Sequence, residues 1–122
     1  MADSKLIDSS IWIKYLFEGS CKEIIETDKQ NYISLLSLFE IKQKLLKKEV
    51  KKEEVRIHLN FIKQKNTVLE LTENIAEKAA EISVENKIPA MDSLIYTTAL
   101  MNNLKLLTLD NDFRNLPNVE IL

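Results

Sequence analysis

The sequence predicts an α/β domain, a mostly parallel sheet of about five strands with helices on both faces. Two observations carry the prediction. Short apolar segments of strand character alternate with amphipathic stretches of roughly ten to fifteen residues, the pattern of βαβ units. Parallel crossovers are right-handed in nearly all sheets, which sends the connecting helices to both faces. A chain of 122 residues, 45% hydrophobic and 30% charged, fits a single domain over residues 1–122 with a core of its own.

The elements follow in order. Lys5–Asp8 ("KLID") is a short apolar strand, and "IWIKYLF" follows it with helical spacing at Ile11, Trp12, Tyr15 and Leu16. "EGS" breaks that helix before a short second one in "CKEIIETDK". Asn31–Ser37 passes from strand into the helical pattern "LSLFEIKQKLLKKEV". A further amphipathic helix covers Lys52–Lys65, with Val55, Leu59 and Ile62 recurring on one face. Thr67–Leu71 ("TVLEL") is a strand, and Thr72 N-caps the helix of "ENIAEKAAEISVENK". Pro89 opens the helix "AMDSLIYTTALMNN", after which the strands "LKLLTL" and "NVEIL" complete the sheet. One glycine, Gly19, and two prolines, Pro89 and Pro117, leave most turns to Asp, Asn, Ser and Lys.

Composition narrows the chemistry. Lys+Arg of 17 against Asp+Glu of 19 gives a net charge of −2, so nucleic-acid binding has to rest on a local patch. No apolar run approaches the roughly 20 residues of a membrane span. The opening "MADSKLIDSS" lacks the basic start and apolar stretch of a leader, and the lone Cys21 suits a reducing cytoplasm. With one cysteine and one histidine, His58, neither a zinc site nor a Cys–His nucleophile is available. Carboxylates remain as the catalytic groups.

In sheets of this kind the ligand crevice lies beyond the carboxyl ends of the strands. The acids gather there. Asp8 ends the first strand, Asp110 and Asp112 follow the fourth, and Asp92 lies in the first turn of the helix leading into the fourth. Glu40 rides within two turns of the second strand's carboxyl end, at the border of its helix's apolar stripe. Each has an ordinary role open to it: Asp8 as an N-cap, Asp92 as a complement to the helix dipole, Asp110-Asn111-Asp112 as turn chemistry, Glu40 as a solvated helix residue. Their joint placement weighs more. Four or five carboxylates crowded beside a core repel one another unless a cation neutralises them. All-oxygen donors suit Mg²⁺ or Mn²⁺, and the chemistry that fits is metal-assisted phosphodiester hydrolysis. Ser9, Ser10 and Thr108 stand beside the acids, where they could orient a carboxylate, a water or a phosphate oxygen.

Four segments, "LIDSSIWI", "SLFEI", "IPAMDSLIYTTAL" and "LLTLDNDF", in that order and spacing, resemble a PIN domain. More specifically they resemble the stand-alone VapC-type toxins of prokaryotic toxin–antitoxin pairs, over essentially the whole chain. The resemblance implies a three-layer α/β/α fold and an endoribonuclease dependent on Mg²⁺ or Mn²⁺. The family's acidic positions match Asp8, Glu40, Asp92, Asp110 and Asp112. Its hydroxyl after the first aspartate matches Ser9 or Ser10, and its motif threonine matches Thr108. The expected catalytic set is Asp8, Glu40, Asp92 and Asp110, with Asp8, Asp92, Asp110 and Asp112 as metal ligands. An RNA substrate, a homodimer and a small cognate antitoxin lying across the cleft are implied in the same way. The alternative on the same fold is an RNA- or protein-binding module that does not cut. Receiver and haloacid-dehalogenase-type phosphatase readings fail on residues: "TVLEL" ends without a phospho-acceptor aspartate, and Asp8-Ser9-Ser10 is not Asp-x-Asp.

Outside the acidic set, Lys14 is the candidate phosphate contact, one helical stretch beyond Asp8. The lysines Lys42, Lys44, Lys47, Lys48, Lys51 and Lys52 are interleaved with Glu49, Glu53 and Glu54 and read as a solvated helix face rather than an RNA track. Trp12, Tyr15 and Phe17 read as core or dimer-interface residues, Cys21 as a half-buried hydrophobe and His58 as a surface or rim residue.

Overall fold

The computed structural model describes residues 4–122. Residues 1–3, the start of the stretch read above as lacking a leader, lie outside the described residues. Five strands, β1 (Lys5–Ile7), β2 (Asn31–Ser34), β3 (Asn66–Leu69), β4 (Lys105–Thr108) and β5 (Val119–Ile121), form one sheet in the order β3-β2-β1-β4-β5. Every pairing is parallel. The helices are α1 (Ser9–Glu18), α2 (Lys22–Ile25), α3 (Leu35–Lys47), α4 (Lys52–Lys65), α5 (Glu73–Asn86) and α6 (Ala90–Met101), with a 3-10 turn at Asn111–Phe113.

Strand alternation sorts the apolar residues into two cores. Ile7, Ile33 and Leu107 pack with Ile11, Trp12, Ile25, Ile41, Leu45, Val55 and Ile62 from α1–α4. Leu6 and Leu106, one residue away on the same strands, pack with Ile82, Ile95, Tyr96 and Ala99 from α5 and α6 on the opposite face. Two cores back to back make the three expected layers, α1–α4 on one face and α5–α6 on the other. Among the described residues no helix is long and apolar enough to cross a membrane.

Local chemistry sets the boundaries. Gly19 takes φ 70 at the end of α1, and its N–H bonds Tyr15 O at 2.9 Å. Thr72 caps α5 by accepting from the Ile75 N–H at 3.1 Å. Asn103, Asn115 and Asn118 occupy left-handed turn positions that glycine otherwise fills. Strand β3 stops at Leu69, two residues before the expected Leu71. Its one neighbour, β2, ends at Ser34 opposite Leu69, where α3 begins, so Glu70 and Leu71 have no ladder to join. Helix α1 starts at Ser9, so Asp8 stands at the helix entrance, its N–H still bonding Leu107 O at 2.9 Å.

The winding fixes the site. The chain steps outward from β1 to β2 to β3, then returns to place β4 on the other side of β1. The crevice at such a reversal opens between the carboxyl ends of β1 and β4. Asp8 leaves one of those ends, and Asp110 leaves the other.

Candidate active site

Asp8 is buried in the N-cap position of α1, but its carboxylate caps nothing. Its Oδ2 instead accepts two hydroxyls, Ser10 Oγ at 2.7 Å and Thr108 Oγ1 at 2.7 Å. Each hydroxyl is itself oriented by a backbone donor at the exit of β4. The Leu109 N–H donates to Ser10 Oγ at 3.0 Å and the Asp110 N–H to Thr108 Oγ1 at 3.0 Å. Two parallel relays thus tie the segment after β4 to one oxygen of Asp8. Such groups fix a carboxylate's direction in the way that partners behind metal ligands do.

Glu40 enters from α3, whose first turn is capped by Ser34 Oγ accepting from the Leu36 N–H at 3.1 Å. Ser9 Oγ donates to Glu40 Oε1 at 2.7 Å. The adjacent serines, either of which matched one motif position, therefore divide the work. Successive residues on a helix point about 100° apart, so Ser10 serves Asp8 and Ser9 serves Glu40. Glu40 titrates above the usual carboxylate range because burial disfavours its charge, with Asp8 and Asp110 adding repulsion; the Ser9 bond opposes the rise.

Asp92 sits in the first turn of α6. The next residue, Ser93, is buried and donates its hydroxyl to Ala79 O, anchoring α6 to α5 beside the acid. Sequence reasoning missed this anchor, because a serine inside a small-residue helix carries no local sign of a partner fourteen residues away. Asp92 is pushed up to about 6, first by burial and then by the charges of Asp110, Asp8, Asp112 and Glu40. Asp110 and Asp112 do form the expected turn: Asp110 Oδ1 accepts from the Asp112 N–H at 2.9 Å. The same turn aims both carboxylates at Asp92.

One oxygen from each of Asp92, Asp110 and Asp112 lies within 4.8 Å of the others. That is the tight group. Asp8 and Glu40 stand outside it, within electrostatic reach of Asp92. The sequence paired Asp8 with these three as ligands; the structure gives Asp112 the closer place. None of the five acids joins an ion pair among the described residues, whose salt bridges are Lys5–Glu120, Lys14–Glu18, Arg56–Glu53 and Lys78–Glu81. The donor set is all oxygen and uncompensated, which fits a hard divalent cation. Lys14 is not drawn into the group: it lies one turn beyond Ser10 and pairs with Glu18 at 4.0 Å. Trp12 is core, edge-on to Tyr15 and Phe61, while Phe17 is exposed.

The PIN domain model matches residues 5–119. The chain belongs to the PIN domain family. Among solved structures, this PIN domain is similar to a toxin–antitoxin complex from Klebsiella pneumoniae, with TM-score 0.79, 27% identity and 95% of each chain covered. It also shares its fold with VapBC2 from Rickettsia felis, solved with promoter DNA, at TM-score 0.78 and 19% identity, covering 98% of this chain and 97% of that one. VapC20 from Mycobacterium tuberculosis, a toxin that cleaves the sarcin–ricin loop, matches at TM-score 0.74 and 18% identity, covering 95% and 97%. No curated protein sequence matches the chain significantly.

Proposed function

We propose that the protein is a Mg²⁺- or Mn²⁺-dependent endoribonuclease, the toxin of a toxin–antitoxin pair. The single observation that carries the reading is the convergence of Asp92, Asp110 and Asp112 within 4.8 Å with no opposing cation among the described residues. Asp92 and Asp110 are the principal ligands in this reading, with Asp112 and Asp8 completing the set. A divalent ion held there supplies charge stabilisation to a phosphodiester under attack and lowers the pKa of a water. The chain's own residues do the rest. Ser10 and Thr108 hold Asp8 Oδ2, so its other oxygen would be the one to contribute to binding such an ion. Glu40, half-buried and steadied by Ser9, is the group placed to take a proton from the attacking water.

The toxin assignment is supported by the 27% identical toxin–antitoxin complex, and the implied partner is a small antitoxin. Homodimerisation and a cytoplasmic setting belong to the same reading. The test is cleavage of single-stranded RNA with Mn²⁺ by the purified chain. Asp8→Asn and Asp92→Asn are each expected to lower the rate by about 10³-fold, the equivalent of several kcal/mol of lost stabilisation. Cleavage that survives both substitutions sinks the site. RNA binding by the parent without cleavage in either metal favours the non-cutting module.

A further inference from the structure

A nuclease built on five clustered carboxylates has to hold a polyanion against them. Local positive charge is what does so, since phosphate contacts carry most nucleic-acid affinity. A pocket of about 270 Å³ borders the acidic group between the C-terminal end of α5 and the chain after the 3-10 turn. Asp112 belongs to both, so the pocket adjoins the acids through that residue. Its other polar lining is Asn86, Lys87, Asn111, Arg114 and Asn115. Neither Lys87 nor Arg114 makes an ion pair among the described residues. Both cations therefore have their charge free for a ligand.

We propose that this pocket is the subsite for an RNA nucleotide flanking the scissile phosphate, with Lys87 and Arg114 contacting its backbone phosphates. The proposal rests on the nuclease reading above. Lys87 ends α5 at φ 55, a left-handed C-cap position that turns the chain here into the pocket's rim. Asn115 holds the facing rim at φ 77. The amides of Asn86, Asn111 and Asn115 supply donors and acceptors to a base edge or a 2′-hydroxyl, the groups by which single-stranded RNA is read. Asn86 spends one N–H on Ile82 O at 3.1 Å, which leaves its carbonyl oxygen for that purpose. The volume of about 270 Å³ falls just under the roughly 300 Å³ at which small-ligand pockets begin, so the pocket would take no more than one nucleotide.

The experiment compares the full chain with Lys87→Ala/Arg114→Ala, using a labelled single-stranded RNA and Mn²⁺. The double variant is expected to raise KM about tenfold with kcat within about threefold, and to leave Mn²⁺ affinity unchanged. Fluorescence anisotropy in the uncleaving Asp92→Asn background should show the slope of log K against log salt reduced by about 1.4, two phosphate contacts at roughly 0.7 each. The charge-matched control Lys44→Ala/Lys47→Ala, on the exposed face of α3, should change neither quantity. Active parent enzyme with an unchanged KM and salt slope in the double variant overturns the pocket and spares the nuclease reading. An inactive parent whose RNA affinity still falls tenfold in the double variant overturns the nuclease reading and leaves the pocket as an RNA site.

Discussion

The two ends of the sheet treat polar groups in opposite ways. At the amino end of the strands polar side chains bond to backbone carbonyls, a hydroxyl or a charge of opposite sign, with Asn66 Oδ1 left unpaired. Asn31 donates to Ile24 O, Asn66 to Ile62 O, and Gln30 to both Asn31 O and Thr67 Oγ1. Lys5, at the start of β1, pairs with Glu120 at 3.3 Å. At the carboxyl end, five groups of one sign gather, and among the described residues the hydrogen bonds they receive come from hydroxyls and backbone N–H groups. Those bonds orient the acids without neutralising them. The amino end balances the charge of Lys5 within the chain, and the carboxyl end gathers like charges that a bound cation would offset.

Three substitutions test that contrast, beginning with the largest effect. Thr108→Val removes the hydroxyl that steadies Asp8 and accepts from the Asp110 N–H. With Asp8 as a ligand in the proposed site, activity should fall by about 10- to 100-fold, the usual cost of losing a partner behind a metal ligand, while the rate measured at saturating Mn²⁺ stays depressed. Full recovery at high Mn²⁺ would mean that Thr108 matters only for affinity. Next comes Asp92→Asn in metal-free protein. Because Asp92 is pushed up to about 6, the native state holds its proton where the unfolded chain has released it. Stability therefore falls as pH rises through the window from about 4 to 6. The asparagine variant lacks this penalty, so urea melts should find it more stable than the parent by about 1 kcal/mol at pH 7.5, after discounting for solvent screening, and equal to it below pH 4. On the proposed metal reading, added Mn²⁺ should reverse the order by binding the native parent. Last is Glu120→Gln, which breaks the partly exposed pair with Lys5; melts should shift by less than about 0.5 kcal/mol.

Much of this was legible in the sequence for a definite reason. Strand and helix periods differ, so the alternation of elements and the two-faced strands "KLI" and "KLLT" are written in the order of residues. The acids were legible because each adjoins an apolar segment whose burial fixes it in space. The finer geometry was not. Asp112 and Asp8 exchange their ranks around the tight group because the 3-10 turn, closed by Asp110 onto the Asp112 N–H, is shorter than any periodic signal. The roles of Ser9 and Ser10 separate only once α1 begins at Ser9. Lys87 and Arg114 lie 27 residues apart by number and meet only in the folded chain, so no local pattern announced their pocket.

The hydrogen bond from Thr108 to Asp8 joins positions 100 residues apart in sequence. Contacts of such separation form late, since the intervening loop must be closed before they reward it. During synthesis Asp8 is made first, while Thr108, which holds its carboxylate, and Asp92, Asp110 and Asp112 are still to come. On the proposed nuclease reading, a nascent chain therefore carries no complete cutting centre until β4 docks beside β1.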